Sequence, residues 1–99
     1  MNALERLHRN YRTAFLRYLP SRDEAALAAG YQIGRSAVSD GLTILDLVHV
    51  HHDVLREVLP ASSLDELDGV TATAADFLGE VLATYEMTRR GYPARPGPP

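Results

Sequence analysis

The chain has no cysteine. Its absence removes disulfides, thiolate metal sites and cysteine nucleophiles together, and it fits a reducing cytoplasm. Lysine is missing too. All ten cationic residues are arginine, a bias that reflects genome composition more than mechanism. No apolar run approaches the ~20 residues needed to cross a bilayer, and Met1 leads into Asn2-Ala3-Leu4-Glu5-Arg6 without the apolar core of a secretory signal. A soluble, cytoplasmic protein with no membrane partner is the expectation. Strand alternation, hairpin turns and internal repeats are absent as well, which leaves an all-α chain.

What is present is one small domain. Ninety-nine residues at 45% apolar content suffice for a single core and not for a cleft between two lobes. A core of this size is marginal alone, so self-association is a natural way to bury more apolar surface. The net charge of −3 hides a strong polarity: residues 6–22 carry Arg6, Arg9, Arg12, Arg17 and Arg22 and no acid, whereas residues 40–86 carry ten acids against Arg56 alone. Opposite halves of this kind join helices within a bundle or two copies of it, and no nucleic-acid partner is expected.

Four helices follow from periodicity and punctuation, over 3–19, 22–39, 44–59 and 70–90, giving an up-and-down or similar four-helix bundle. The first presents Leu4, Leu7, Tyr11, Ala14, Phe15 and Tyr18 on one face and ends at Pro20. Ser21-Arg22-Asp23-Glu24 reads as a capping box for the second, in which Ala26, Gly30 and Gly34 recur every four residues. Glycine costs ~1 kcal/mol against alanine inside a helix, so this groove needs a close neighbour. Thr43 caps the third helix, TILDLVHVHHDVLREVL, which reads as the central stave with Leu45, Val48, Leu55 and Leu59 on its buried stripe. Its histidines diverge. At 100° per residue His52 falls in that stripe, with His49 and His51 on opposite flanks. Residues 60–69 form a connection in which Ser63-Leu64-Asp65-Glu66 is a second capping pattern, and Val70, Ala74, Phe77, Leu78, Val81 and Tyr85 stripe the fourth helix. Gly91 closes it. The domain proper is 1–91, followed by a proline-rich linker or tail over 92–99.

The order of these residues resembles a known family. Tyr11-x-x-x-Phe15-x-x-Tyr18-Leu19, Asp23-Glu24-x-x-Leu27, Gly34-Arg35, Gly41-Leu42-Thr43-Ile44-Leu45-Asp46-Leu47 into His51-His52, and Phe77-Leu78-x-Glu80-x-Leu82-x-x-Tyr85-Glu86-Met87-x-x-Arg90-Gly91-Tyr92 are similar to the amino-terminal domain of RsbU-type bacterial phosphatases. The resemblance implies a helical homodimer related in fold to the carboxy-terminal domain of the clock protein KaiA. It implies an activating partner, a small switch protein with a histidine-kinase-like ATPase fold, and a downstream metal-dependent serine phosphatase controlled in stress signalling. Similar domains also precede sensor modules and histidine kinases. The phosphatase's acidic metal-binding motifs have no counterpart in this chain.

Candidate sites are accordingly surfaces. Glu24, Ala28, Gln32 and Arg35 form a rib on helix two, and Ala83 and Met87 beside Glu80 form a small apolar patch with an acidic rim on helix four. These seven are the expected partner-binding residues, a choice to which the resemblance adds more than the spacing does. Tyr11, Phe15 and Leu16 supply the expected dimer surface, and Gly30 and Gly34 suit either that contact or the monomer's own packing. No catalytic residue, cofactor or metal is assigned. Asp76, Glu80 and Glu86 bracket no pocket, and general acid–base work needs two groups around one substrate. Asp46, His49 and Asp53 share one helical edge but lack a fourth ligand, so a metal- or small-molecule sensor at His49 is the runner-up. A phosphoryl-relay helix pair would require an exposed histidine, for which His51 is the candidate.

Overall fold

The computed structural model describes residues 1–91; the tail expected over 92–99 lies outside the described residues. Four helices build an up-and-down bundle: α1 (Ala3–Ser21), α2 (Glu24–Ser39), α3 (Ile44–Val58) and α4 (Leu64–Arg89), with a single 3₁₀ turn at Leu59–Ala61 between the last two. No helix among the described residues is long and apolar enough to cross a membrane.

Each helix starts on a side chain that satisfies free backbone amides. Asn2 and Glu5 exchange backbone-to-side-chain bonds of 2.8 and 2.9 Å at α1, and Thr43 and Asp46 do the same at 3.1 and 2.9 Å at α3. At α2 the cap is Asp23, whose carboxylate accepts from the Ala26 amide at 2.8 Å. Ser21, expected in that role, still belongs to α1 and donates its hydroxyl to the Arg17 carbonyl. Pro20 does not stop α1. A proline in the last turn forfeits its own hydrogen bond to the preceding turn, and the chain leaves the helix two residues later, where Arg22 takes the left-handed conformation at φ 54°. That conformation is unfavourable for a residue with a side chain. Here the guanidinium offsets it by donating to Thr73 Oγ1 at 2.6 Å and to the Gly69 carbonyl on α4. Helix α4 begins six residues before the expected 70, at the second capping pattern, where Glu66 accepts from the Ser63 amide at 2.7 Å.

The centre of the molecule is Phe77 on α4, and not the histidine helix. Tyr11, Phe15 and Tyr18 of α1 surround its ring at centroid distances of 5.2, 5.7 and 5.6 Å. Aromatic pairs at such separations gain beyond the area they bury. Helix α2 closes onto α4 through its glycines. A Cβ at Gly34 would lie 2.6 Å from the Val81 carbonyl oxygen and 2.9 Å from the Tyr85 nitrogen, and one at Gly30 would lie 3.2 Å from the Phe77 ring. Because Gly30 faces Phe77 and Gly34 faces Thr84 and Tyr85, α2 and α4 run parallel. Tyr85 then ties the far end of α4 to the α2–α3 turn by donating to the Leu42 carbonyl at 2.7 Å.

Helix α3 is rotated from its expected setting. Leu47, Val50 and Val54 are buried, while Leu45 is 66% exposed, Val48 is exposed and Leu55 and Leu59 sit at the edge of the core. The turn of about a third of a revolution is fixed by α1. Arg12 reaches Glu57 at 2.7 Å and the Tyr11 hydroxyl reaches His51 Nδ1 at 2.7 Å, and both bonds hold the 50/54 edge inward. Leu4, expected on the buried stripe of α1, is exposed at the end of the bundle.

Candidate protein interface

The glycine contact determines where the candidate partner residues go. Two parallel helices that meet face to face share an outer surface when one is read clockwise and the other anticlockwise from the line of contact. Counting 100° per residue from Gly30 and Gly34, the side chains of Glu24, Ala28 and Arg35 lie to one side of α2. Counted from Val81 on α4, Glu80, Ala83 and Met87 lie to the other. The two sets therefore come to the same outer face of the α2–α4 pair, with Glu80 half-buried and the rest exposed. Arg35 is not loose there, since its guanidinium sits 5.8 Å from the Tyr31 ring centre. Gln32 departs from this set. It turns toward α1 and lines the groove between α1 and α2.

The expected dimer residues are divided differently. Tyr11 and Phe15 are buried inside the single chain, and Gly30 and Gly34 are taken up by α4. Only Leu16 of that set remains at the surface, 39% exposed, in a groove of about 640 Å³ with Leu19, Val54, Val58 and Val70. The apolar surface that sequence reasoning missed is on α3: Ile44, Leu45 and Val48 stand exposed on one stripe. Its signal was visible as a helix with more apolar residues than one buried face can hold.

The histidines do not gather. His49 and His52 are exposed, so His52 is not in the buried stripe, and His51 is the half-buried one. Burial and the neighbouring His52 charge hold His51 below its ordinary value of 6.5, and burial pushes the Tyr11 phenol far above its own. We assign Tyr11 as the donor and Nδ1 of a neutral His51, with its proton on Nε2, as the acceptor. This engaged ring is unlike the free imidazole a phosphoryl relay requires. Asp46 turns its carboxylate to the Thr43 amide, and among the described residues no group of three histidine or acidic side chains is placed to hold a metal ion. On α4, Glu86 pairs with Arg90 at 2.8 Å and with Arg89 at 3.9 Å, which closes the helix end electrostatically.

The arrangement is therefore one of surfaces carried on a locked helix pair. No curated protein and no solved structure matches the sequence. The family described as "Phosphoserine phosphatase RsbU, N-terminal domain" does match, over residues 9–88, from within α1 to the last turn of α4. The chain belongs to this family of amino-terminal regulatory domains of RsbU-type phosphatases.

Proposed function

We propose that this domain is a non-catalytic cytoplasmic module that forms a homodimer and receives an activating switch protein of histidine-kinase-like ATPase fold. Its output is control of a serine phosphatase, or of another signalling domain, in bacterial stress signalling. The observation that carries the reading is the outer face of α2 and α4, on which the exposed Ala28, Ala83 and Met87 are interspersed along the axis with Glu24, Glu80 and Arg35. Small apolar side chains set among charges of both signs suit a protein partner, which can bury the former and pair with the latter. Its two ribs sit on helices whose separation is fixed by Gly34, so the partner meets a preformed seat and little ordering cost. Binding would favour one arrangement of the two subunits over another, by no more than the partner's difference in affinity between them.

Substituting Ala28 or Ala83 with arginine tests the seat. Both positions are exposed, so the helices should form as before. Calorimetric titration with the switch protein should show affinity lowered by at least ~10-fold, the effect of forcing a large charged side chain into an interface centre. Unchanged affinity in both variants would remove this face from the proposal.

A further inference from the structure

The arginines of α1 are not equivalent. Arg12 is bound to Glu57, Arg22 is bound to Thr73 and Gly69, and Arg6 lies 4.0 Å from Asp40. Arg9 and Arg17 form no ion pair among the described residues. With Thr13 between them they stand at successive spacings of four on one face of α1, ~12 Å apart along the axis. That face borders a groove of about 630 Å³ between α1 and α2.

The groove has an unusual composition. Its floor is apolar, from the buried Leu7 and Ala14 on α1 and Ile33 and Ala37 on α2, with the half-buried Ala29 beside them. Small side chains let another helix approach closely, as Gly30 and Gly34 already do on the opposite side of α2. Two acids close the ends of the groove, but both are committed. Asp23 caps α2, and Asp40 faces Arg6. The charge left without a partner is positive and lies along one rim.

We infer that the α1–α2 groove is a second docking surface, for an acidic amphipathic helix of about three turns supplied by another protein. From Arg6 to Arg17 the rim measures ~16 Å, the length of such a helix. Carboxylates two turns apart on the occupant would meet Arg9 and Arg17, each guanidinium able to hold a carboxylate through paired hydrogen bonds. Alanine or leucine between them would lie on the apolar floor. Of the seven candidate residues for the switch protein only Gln32 lines this groove, so the two surfaces are largely separate.

The test is a titration of the isotopically labelled chain with a synthetic alanine–leucine helix bearing glutamates at i and i+7, followed by amide chemical shifts. Binding should move the amides of Thr13, Ala29 and Ile33 and should weaken as salt is added. Arg9→Glu with Arg17→Glu should weaken it by at least ~10-fold, since two rim pairs become two repulsions. Both arginines are exposed, so the double variant should keep its helicity. Ala29→Leu fills the floor without altering charge and should weaken binding as well. The inference is overturned if the glutamine version of the peptide binds as tightly, if unstructured polyglutamate does so, if the shifts fall on the outer face of α2 and α4, or if no amide moves at millimolar peptide.

Discussion

The hydroxyl of Tyr11 is fully buried and donates to His51 Nδ1 at 2.7 Å, which makes one imidazole a reporter of how α3 sits on α1. The groups around it are His52 on its own helix, the exposed Arg12–Glu57 pair, and on α4 the uncharged Phe77 ring. His51 in the folded chain binds a proton less readily than its ordinary value of 6.5, whereas the unfolded chain titrates near that value. Between the two, the unfolded state holds more protons, so stability rises with pH. The contribution is therefore complete above 6.5 and is lost as pH falls through the lowered folded value. We expect the urea midpoint to drop between pH ~7.5 and ~5.5. Tyr11→Phe should remove the donor that favours neutral His51, raise the titration of that ring toward its ordinary value, and cost about 1 kcal/mol at neutral pH. A His51 resonance that titrates identically in both proteins would show that the tyrosine has no hold on it.

Among the elements, α2 and α4 are the pair whose geometry least tolerates change, and two glycines on them should respond oppositely to the same substitution. Gly34→Ala places a methyl 2.6 Å from the Val81 carbonyl oxygen, a backbone atom that cannot swing away. Alanine's helix preference of ~1 kcal/mol is then outweighed by overpacking, for a net loss of roughly 1–3 kcal/mol. Gly79, on the same α4, has nothing within 4 Å of an added Cβ, and Gly79→Ala should stabilise by about 0.5–1 kcal/mol. Thermal melts of the two variants decide it; a stabilised Gly34→Ala would mean that α2 and α4 stand farther apart than a Gly34–Val81 backbone contact requires. The need for a close neighbour at Gly30 and Gly34 was legible in the sequence, as were the class and number of helices, because periodicity and caps are local signals. The rotation of α3 was not. Leu45, Val48, Leu55 and Leu59 compete with Leu47, Val50, Val54 and Val58 for the inside, and the choice is made by Tyr11 and Arg12, 40 and 45 residues from the groups they bind. The early start of α4 had its signal in Ser63 and Glu66, and the helix carries Gly69 in open space. For the same reason the ribs on α2 and α4 could be chosen from spacing, but the turn of Gln32 toward α1 depends on where α1 packs.

At the scale of the molecule, the question is what covers α3. A chain this small has few apolar residues to leave outside, yet Ile44 is 41% exposed beside Leu45 and Val48 on one stripe of a helix whose other side is already committed to the core. A second copy is the occupant that fits the homodimer proposed above, since a two-fold contact needs only one self-complementary patch. The subunit contact would then lie on α3, on surface apart from the α2–α4 ribs that the switch protein would meet. Sedimentation equilibrium should give a dimer at micromolar concentration. Leu45→Glu with Val48→Glu should shift it to monomer by weakening association at least ~10-fold, with helicity unchanged because both side chains already face solvent. Leu16→Glu, in the groove beside α1, should leave the dimer intact. The reverse pattern would move the contact from α3 to that groove, and a wild-type chain that sediments as a monomer would leave the two-subunit mechanism without its first requirement.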